Sequence, residues 1–422
     1  MSPEAVRWCM AFSGTTTWKL GLVPQSVANG LTNILVLFYL IQVLHGSLID
    51  VGLVTGVAAL ALIPSQAVWG RLVDSTGRCK PFLVFGFIGF GVCMASIPMA
   101  SSVLELLVIV SLKSLFYAAT IPARQLLTVE SEARDGWQKG LANMSFLTAM
   151  GETIGMGVGT AAVVSLGFGE LFLMCGLLCF GSAGALSVLA QEPGLMIQRR
   201  LVLLERSLGT IMAVSDYAGY PRLSPVGAPA GDITRVLNRS TKFLLVGILC
   251  FSLAGSAYYS PLPAYFLQFY PSQAVFFVFF AGSLAGALGY LLVGRVLKNA
   301  ASNLLLSSFS RVMVLPLLLL AAIGASPGLA AAAIVLAVLE VLWSLFDVSS
   351  TFAYLETAKV GRAGFYGALV GLGSAAGGFL GGYLSMEYGF PALFTVCSLL
   401  CAAAFLAYVV QYGRMAWLMR QR

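Results

Sequence analysis

Four ionisable side chains stand where such groups are rarely tolerated. Lys113, Glu152, Glu340 and Asp347 each fall within a run of predominantly apolar residues. Such a charge costs about 2.5–3.5 kcal/mol at the centre of a membrane-crossing helix, so each needs a reason. A carboxyl group that must be neutral in apolar surroundings can take up a proton and give it back. Glu152, Glu340 and Asp347 are therefore candidate proton carriers, with Glu152 and Glu340 the deeper in their runs. Asp347 lies seven residues beyond Glu340, on nearly the same helical face. Lys113 is a candidate for holding an anionic or zwitterionic group. Two polar stripes accompany these charges: Gln25, Asn29 and Asn33 at intervals of four, and Ser252, Ser256, Tyr259 and Ser260. Polar groups facing lipid are costly, so both stripes are expected to face a wet cavity or a packed seam.

The elements that must position these residues are membrane spans. Hydrophobic residues make up 59% of the chain and charged residues only 10%, with a mean hydropathy of +0.91. That leaves too little polar surface for a water-exposed globule. Twelve apolar stretches of about 20 residues can be marked, at 20–44, 48–69, 81–99, 103–125, 140–164, 168–190, 241–267, 272–294, 303–324, 328–351, 364–385 and 391–412. An even number puts both termini on one side. The segment before Trp18 lacks a cleavage-site pattern and is expected to be a cytoplasmic tail.

The charges agree. Of the 24 Lys and Arg, Lys113 falls mid-span, and the other 23 are assigned to the termini, the even-to-odd loops or the span ends beside them. The opposite loops contain none, which is the positive-inside pattern with cytoplasmic termini in a plasma (inner) membrane. The net charge of +7 then faces anionic lipid rather than nucleic acid. The eight Cys form no disulfide framework, and a single His, His45, leaves almost no material for a His-based metal site.

The chain divides into residues 1–190, a hydrophilic stretch 191–240 and residues 241–422. The two long parts resemble each other. Gly151, Gly155 and Gly159 recur as Gly373, Gly377 and Gly381, an offset of 222, and Cys175 and Cys179 recur as Cys397 and Cys401 at the same offset. Gly70-Arg71 recurs as Gly294-Arg295, and Lys113 falls opposite Glu340. A duplicated six-span unit is a hallmark of secondary transporters. Within the middle stretch, Ile197, Leu201, Leu204, Leu208 and Ile211 repeat at three and four residues, which predicts an amphipathic helix on the inner membrane surface, and residues 215–234 read as a flexible link.

Residues 70–80 read Gly70-Arg71-Leu72-Val73-Asp74-Ser75-Thr76-Gly77-Arg78-Cys79-Lys80, between spans two and three on the positive side. This resembles the signature of the major facilitator superfamily, except that Cys79 stands where a basic residue is common. The resemblance implies an all-α integral membrane fold with twelve transmembrane helices in two pseudo-symmetric six-helix bundles. It also implies a central cavity lined by spans one, four, seven and ten. Asp74 would cap the span-eleven helix near Gly364, so that Gly70, Arg71, Asp74, Gly77 and Arg78 form a cytoplasmic gate. Lys113 and Glu340 would then bring opposite charges to similar depth across the cavity, there to pair or to exchange that pairing for a charged substrate. Gly151, Gly155 and Gly159 resemble the glycine-rich span-five signature of drug–proton antiporters, although the Pro usual there is absent. Close helix packing explains the spacing equally well.

The expectation is a secondary active transporter of a small organic solute, proton-coupled and leaning to export. It would act as a monomer among membrane lipid, without a cofactor, driven by a proton or ion gradient. An importer or uniporter of the same fold, or a non-transporting sensor or scaffold, is the alternative. No nucleotide-binding loop and no nucleophile–base pattern is found in the sequence, so an enzyme is not expected.

Overall fold

The computed structural model describes residues 17–131, 137–190, 242–295, 300–324, 328–357 and 363–420. Twelve long helices carry nearly all of them, and no strand occurs among the described residues. They are α1 (Thr17–Val43, opening as a 3₁₀ turn and closing as a π turn), α2 (Leu48–Thr76), α3 (Lys80–Ser96), α4 (Val103–Ser131), α5 (Trp137–Ala162) and α6 (Phe168–Leu189). The second set is α7 (Lys242–Tyr259, continued by Leu262–Leu267), α8 (Ser272–Arg295), α9 (Ala300–Gly324), α10 (Leu329–Thr357), α11 (Ala363–Glu387) and α12 (Gly389–Arg420). Eleven of these are long and apolar enough to cross a membrane. The twelfth, α5, carries Gln138, Lys139, Asn143 and Glu152, which lower its apolar character.

Local signals account for several helix ends. Ser47 and Asp50 form a reciprocal capping box at the start of α2. Gly77 ends that helix in the left-handed region, at φ 68°, with its N–H returning to the Val73 carbonyl. This conformation gives the second glycine of the 70–80 segment its physical reason.

The helix pairings repeat with an offset of six. α5 packs on α1 as α11 packs on α7; α3 pairs with α6 as α9 with α12; α2 pairs with α4 as α8 with α10. The recurring glycines lie at two of these contacts. A Cβ at Gly155 would overlap the Val27 carbonyl of α1, and one at Gly377 would overlap the Leu253 carbonyl of α7. Small residues there let two backbones touch. The recurring Cys pairs are buried in α6 and α12 as free thiols, and no metal-ligating cluster occurs among the described residues.

The halves meet along α2–α11 and α5–α8. At the end away from the chain termini the halves are in close contact. A Cβ at Gly382 would stand 2.7 Å from the Gly52 Cα, the Thr55 and Ser260 hydroxyls lie 2.8 Å apart, and Phe38 meets Phe276 edge-on at 5.3 Å. Toward the termini the α2–α11 seam loosens. A Cβ at Gly371 would still stand 2.7 Å from the Ile63 side chain, whereas one at Gly367 would find only Gln66 Oε1, at 3.7 Å, and one at Gly70 nothing within 4 Å. The surface helix and link expected within 191–240 lie outside the described residues.

Candidate functional site

Where the tight part of the α5–α8 seam ends, at the Thr153–Ser283 hydroxyl contact of 2.9 Å, a cavity of about 350 Å³ opens between the halves. α5 supplies Ala149 and Glu152; α7 supplies Gly255, Ser256, Tyr258 and Tyr259. Ser283, Gly286, Ala287 and Tyr290 of α8, Arg311 of α9, Glu340 and Trp343 of α10, and Ser374 of α11 complete the walls. The volume lies at the lower end of small-molecule sites, which run from about 300 to 1,000 Å³.

The charges in this cavity are divided between the halves. Glu152, on α5, accepts a hydrogen bond from the Asn29 amide of α1 at 2.9 Å. Glu340, on α10, makes no hydrogen bond among the described residues; its Oε2 would stand 3.5 Å from a Cβ added at Gly286. Among the described residues, Arg311 and Glu152 are the charged groups close enough to act on Glu340. Asp347, two turns further along α10, accepts from the Tyr290 hydroxyl at 3.1 Å, which ties it to a cavity wall without placing it on the lining.

Arg311 corrects the assignment of every cation except Lys113 to loops and span ends. It lies near the middle of α9 and is fully buried. Its guanidinium packs over Phe251 at 4.3 Å, with Tyr258 and Trp343 each at 5.5 Å, and Nη2 donates to the Leu339 carbonyl at 3.2 Å. A signal for it exists in the sequence. Asn303, Ser307 and Arg311 recur at intervals of four, and all three are buried, so they form one polar stripe on the inward face of α9.

The expected pairing of Lys113 with Glu340 is not formed. Lys113 lies with its Nζ 5.5 Å from the Phe90 ring of α3, and its electrostatic neighbours are Cys93, Cys175 and Cys179 within its own half. The physical reason is that α4 packs on α2 and α3, and α10 on α8 and α9, so the two helices do not run along each other. Lys113 is not on the cavity lining; Arg311 is the cation that shares the cavity with Glu340.

The α1 stripe also divides. Asn29 reaches the site through Glu152, Asn33 is exposed, and Gln25 is buried against α6, where its backbone N–H donates to Ser182 Oγ at 2.8 Å. Tyr259 is on the lining and meets Phe279 edge-on. In the 70–80 segment Arg71 and Arg78 are exposed, whereas the Asp74 side chain and the residues just before α11 lie outside what the structure describes, and with them the expected cap near Gly364.

The family model described as Major Facilitator Superfamily matches residues 20–368. No curated protein sequence matches the chain. Among solved structures, a point mutant of the nucleoside transporter NupG superposes with a TM-score of 0.68 at 13% identity, covering 95% of this chain and 99% of that one. A second structure of NupG gives 0.65 at 14% identity, with 95% and 98% covered. At such identities the likeness is one of fold.

Proposed function

Because the chain belongs to the major facilitator superfamily, we propose that the cavity between its halves is the binding site of a proton-coupled carrier for a small organic solute. The observation that supports this reading most is the shared lining. One half contributes Glu152, and the other contributes Glu340 and Arg311. A site assembled from both halves is rebuilt whenever they move relative to each other, and that is what alternating access requires. The seam closed away from the termini and loosened toward them fits one state of such a cycle. With the termini cytoplasmic, as the distribution of Lys and Arg argues, this is the inward-facing state.

In this reading Glu340 is the coupling acid, with Glu152 beside it. Glu340 faces the cavity with no hydrogen-bond partner among the described residues, so solute and proton can meet there. Glu152 is held by Asn29, whose amide donates to an acceptor oxygen in either protonation state. The carrier works as a monomer in lipid, without a cofactor or a catalytic reaction.

The test uses protein reconstituted in liposomes loaded with a pH-sensitive dye, challenged with amino acids, nucleosides, sugars and organic acids. The expected result is that at least one solute moves protons with it, and that Glu340→Gln stops the proton flux while the solute still binds. Solute uptake indifferent both to an imposed pH gradient and to Glu340→Gln would replace the reading with a uniporter.

A further inference from the structure

Arg311 is fully buried, yet only one of its three guanidinium nitrogens has an acceptor. Nη2 donates to Leu339, while Nε and Nη1 have no partner among the described residues. The ring of Phe251 offsets part of the charge. A ring face does not satisfy in-plane N–H donors, and the group cannot shed its charge, because arginine is not deprotonated in proteins. Glu340 shares the cavity but makes no ion pair with it. A purely structural arginine at this depth is expected to have its donors met by carbonyls or a carboxylate.

The surroundings indicate what would meet them. Gly255 is the neighbour of Nη1: a Cβ there would stand 3.3 Å from Nη1 and 3.0 Å from the Trp343 ring. Nη1 itself is covered in this state, but Gly255, Arg311 and Trp343 are all on the cavity lining, and no side chain at 255 adds to what covers it. We propose that Arg311 is the anchor for the carboxylate of a small organic acid whose body lies against Trp343 and Tyr258. The site favours a monoanion, because Glu152 and Glu340 on the same walls oppose a second negative charge, which argues against a phosphate. The cavity volume suits an acid with a single ring. This assignment rests on the carrier reading only for calling the acid a cargo; the binding site stands on the geometry of Arg311.

The test compares benzoate, phenylacetate and 4-hydroxyphenylacetate with their primary amides and with phenyl phosphate, by thermal shift and calorimetry on the purified full-length protein. At least one carboxylate is expected to stabilise the wild type while its amide does not, a comparison that needs no variant. Arg311→Lys, which keeps the charge and loses the planar fork, should weaken that carboxylate by about tenfold or more, and Arg311→Gln should abolish its binding. The proposal is overturned if no carboxylate binds, if phenyl phosphate binds more tightly than the acids, or if Arg311→Lys leaves the affinity unchanged. The two readings fail separately. A carboxylate that binds through Arg311 but never crosses the liposome membrane sinks the carrier reading alone. A neutral solute that is transported equally well by Arg311→Lys, with no acid bound, sinks this one alone.

Discussion

The side-chain amide of Asn29 donates to the Glu152 carboxyl at 2.9 Å, tying α1 to α5 at the edge of the cavity. A glutamine at 152 preserves size and a hydrogen-bonding partner for Asn29 while removing the ionisable proton. Glu152→Gln is therefore expected to change the unfolding free energy by no more than ordinary surface changes do, about 0.5 kcal/mol. If Glu152 shares in coupling, the same variant loses accumulation driven by a pH gradient in liposomes. Full accumulation by Glu152→Gln would leave coupling to Glu340 alone.

Arg311 and Glu340 share one cavity, whereas Lys113 sits apart in the other half. A double-mutant cycle on stability in nanodiscs should separate the two pairs. Lys113→Met and Glu340→Gln are expected to add to within about 0.5 kcal/mol, as distant sites do. Arg311→Lys and Glu340→Gln are expected to depart from additivity by about 0.5–3 kcal/mol. Equal coupling in both cycles would contradict the placement of Lys113.

Two glycines on helices offer a paired test of packing. A Cβ at Gly30 would overlap the Glu152 backbone, so Gly30→Ala should destabilise by about 1–3 kcal/mol through overpacking. Gly70 has open space around its Cβ position within α2, so Gly70→Ala should be neutral or stabilising by up to about 1 kcal/mol. Thermal unfolding of both variants in the same detergent decides the matter, and a reversed order would argue against the α1–α5 contact.

The Thr55–Ser260 hydroxyl contact of 2.8 Å places α2 of one half against the end of α7 in the other. Thr55→Cys with Ser260→Cys should form a disulfide under mild oxidation, hold that end shut, stop transport and release it on reduction. Transport that continues at full rate in the cross-linked protein would show that this seam need not open.

Orientation can be read from labelling. Ser102 is exposed at the end away from the termini, and Arg78 is exposed at the other. In intact cells, Ser102→Cys is expected to react with an impermeant maleimide and Arg78→Cys to be silent; the reverse would invert the orientation.

Much of the fold was legible because backbone contact leaves a composition trace. Gly151, Gly155 and Gly159, with their counterparts at 373, 377 and 381, announce two helices pressed onto neighbours, and the structure places those neighbours as α1 and α7. The site was less legible. Aligned repeats put Lys113 and Glu340 at matching positions, but an offset says nothing about which face of a helix looks inward. In the structure Lys113 lies toward Phe90 and the thiols of its own half, while Glu340 is on the cavity lining. Arg311 was hidden for another reason. One cation inside a span weighs little against a charge distribution that otherwise follows the positive-inside pattern, and only the stripe Asn303, Ser307, Arg311 marks its face.

The tie between α1 and α5 has one more consequence. Glu152 is held to α1 by Asn29 and by the Gly30 contact, while Arg311 and Glu340 lie on the adjacent helices α9 and α10 of the opposite half. The distance from Glu152 to Glu340 thus spans the boundary between the halves, while the Arg311–Glu340 distance does not. A pair of spectroscopic labels on the α5 and α10 backbones near these residues would therefore act as a gauge of slippage, with α9 and α10 supplying the internal zero.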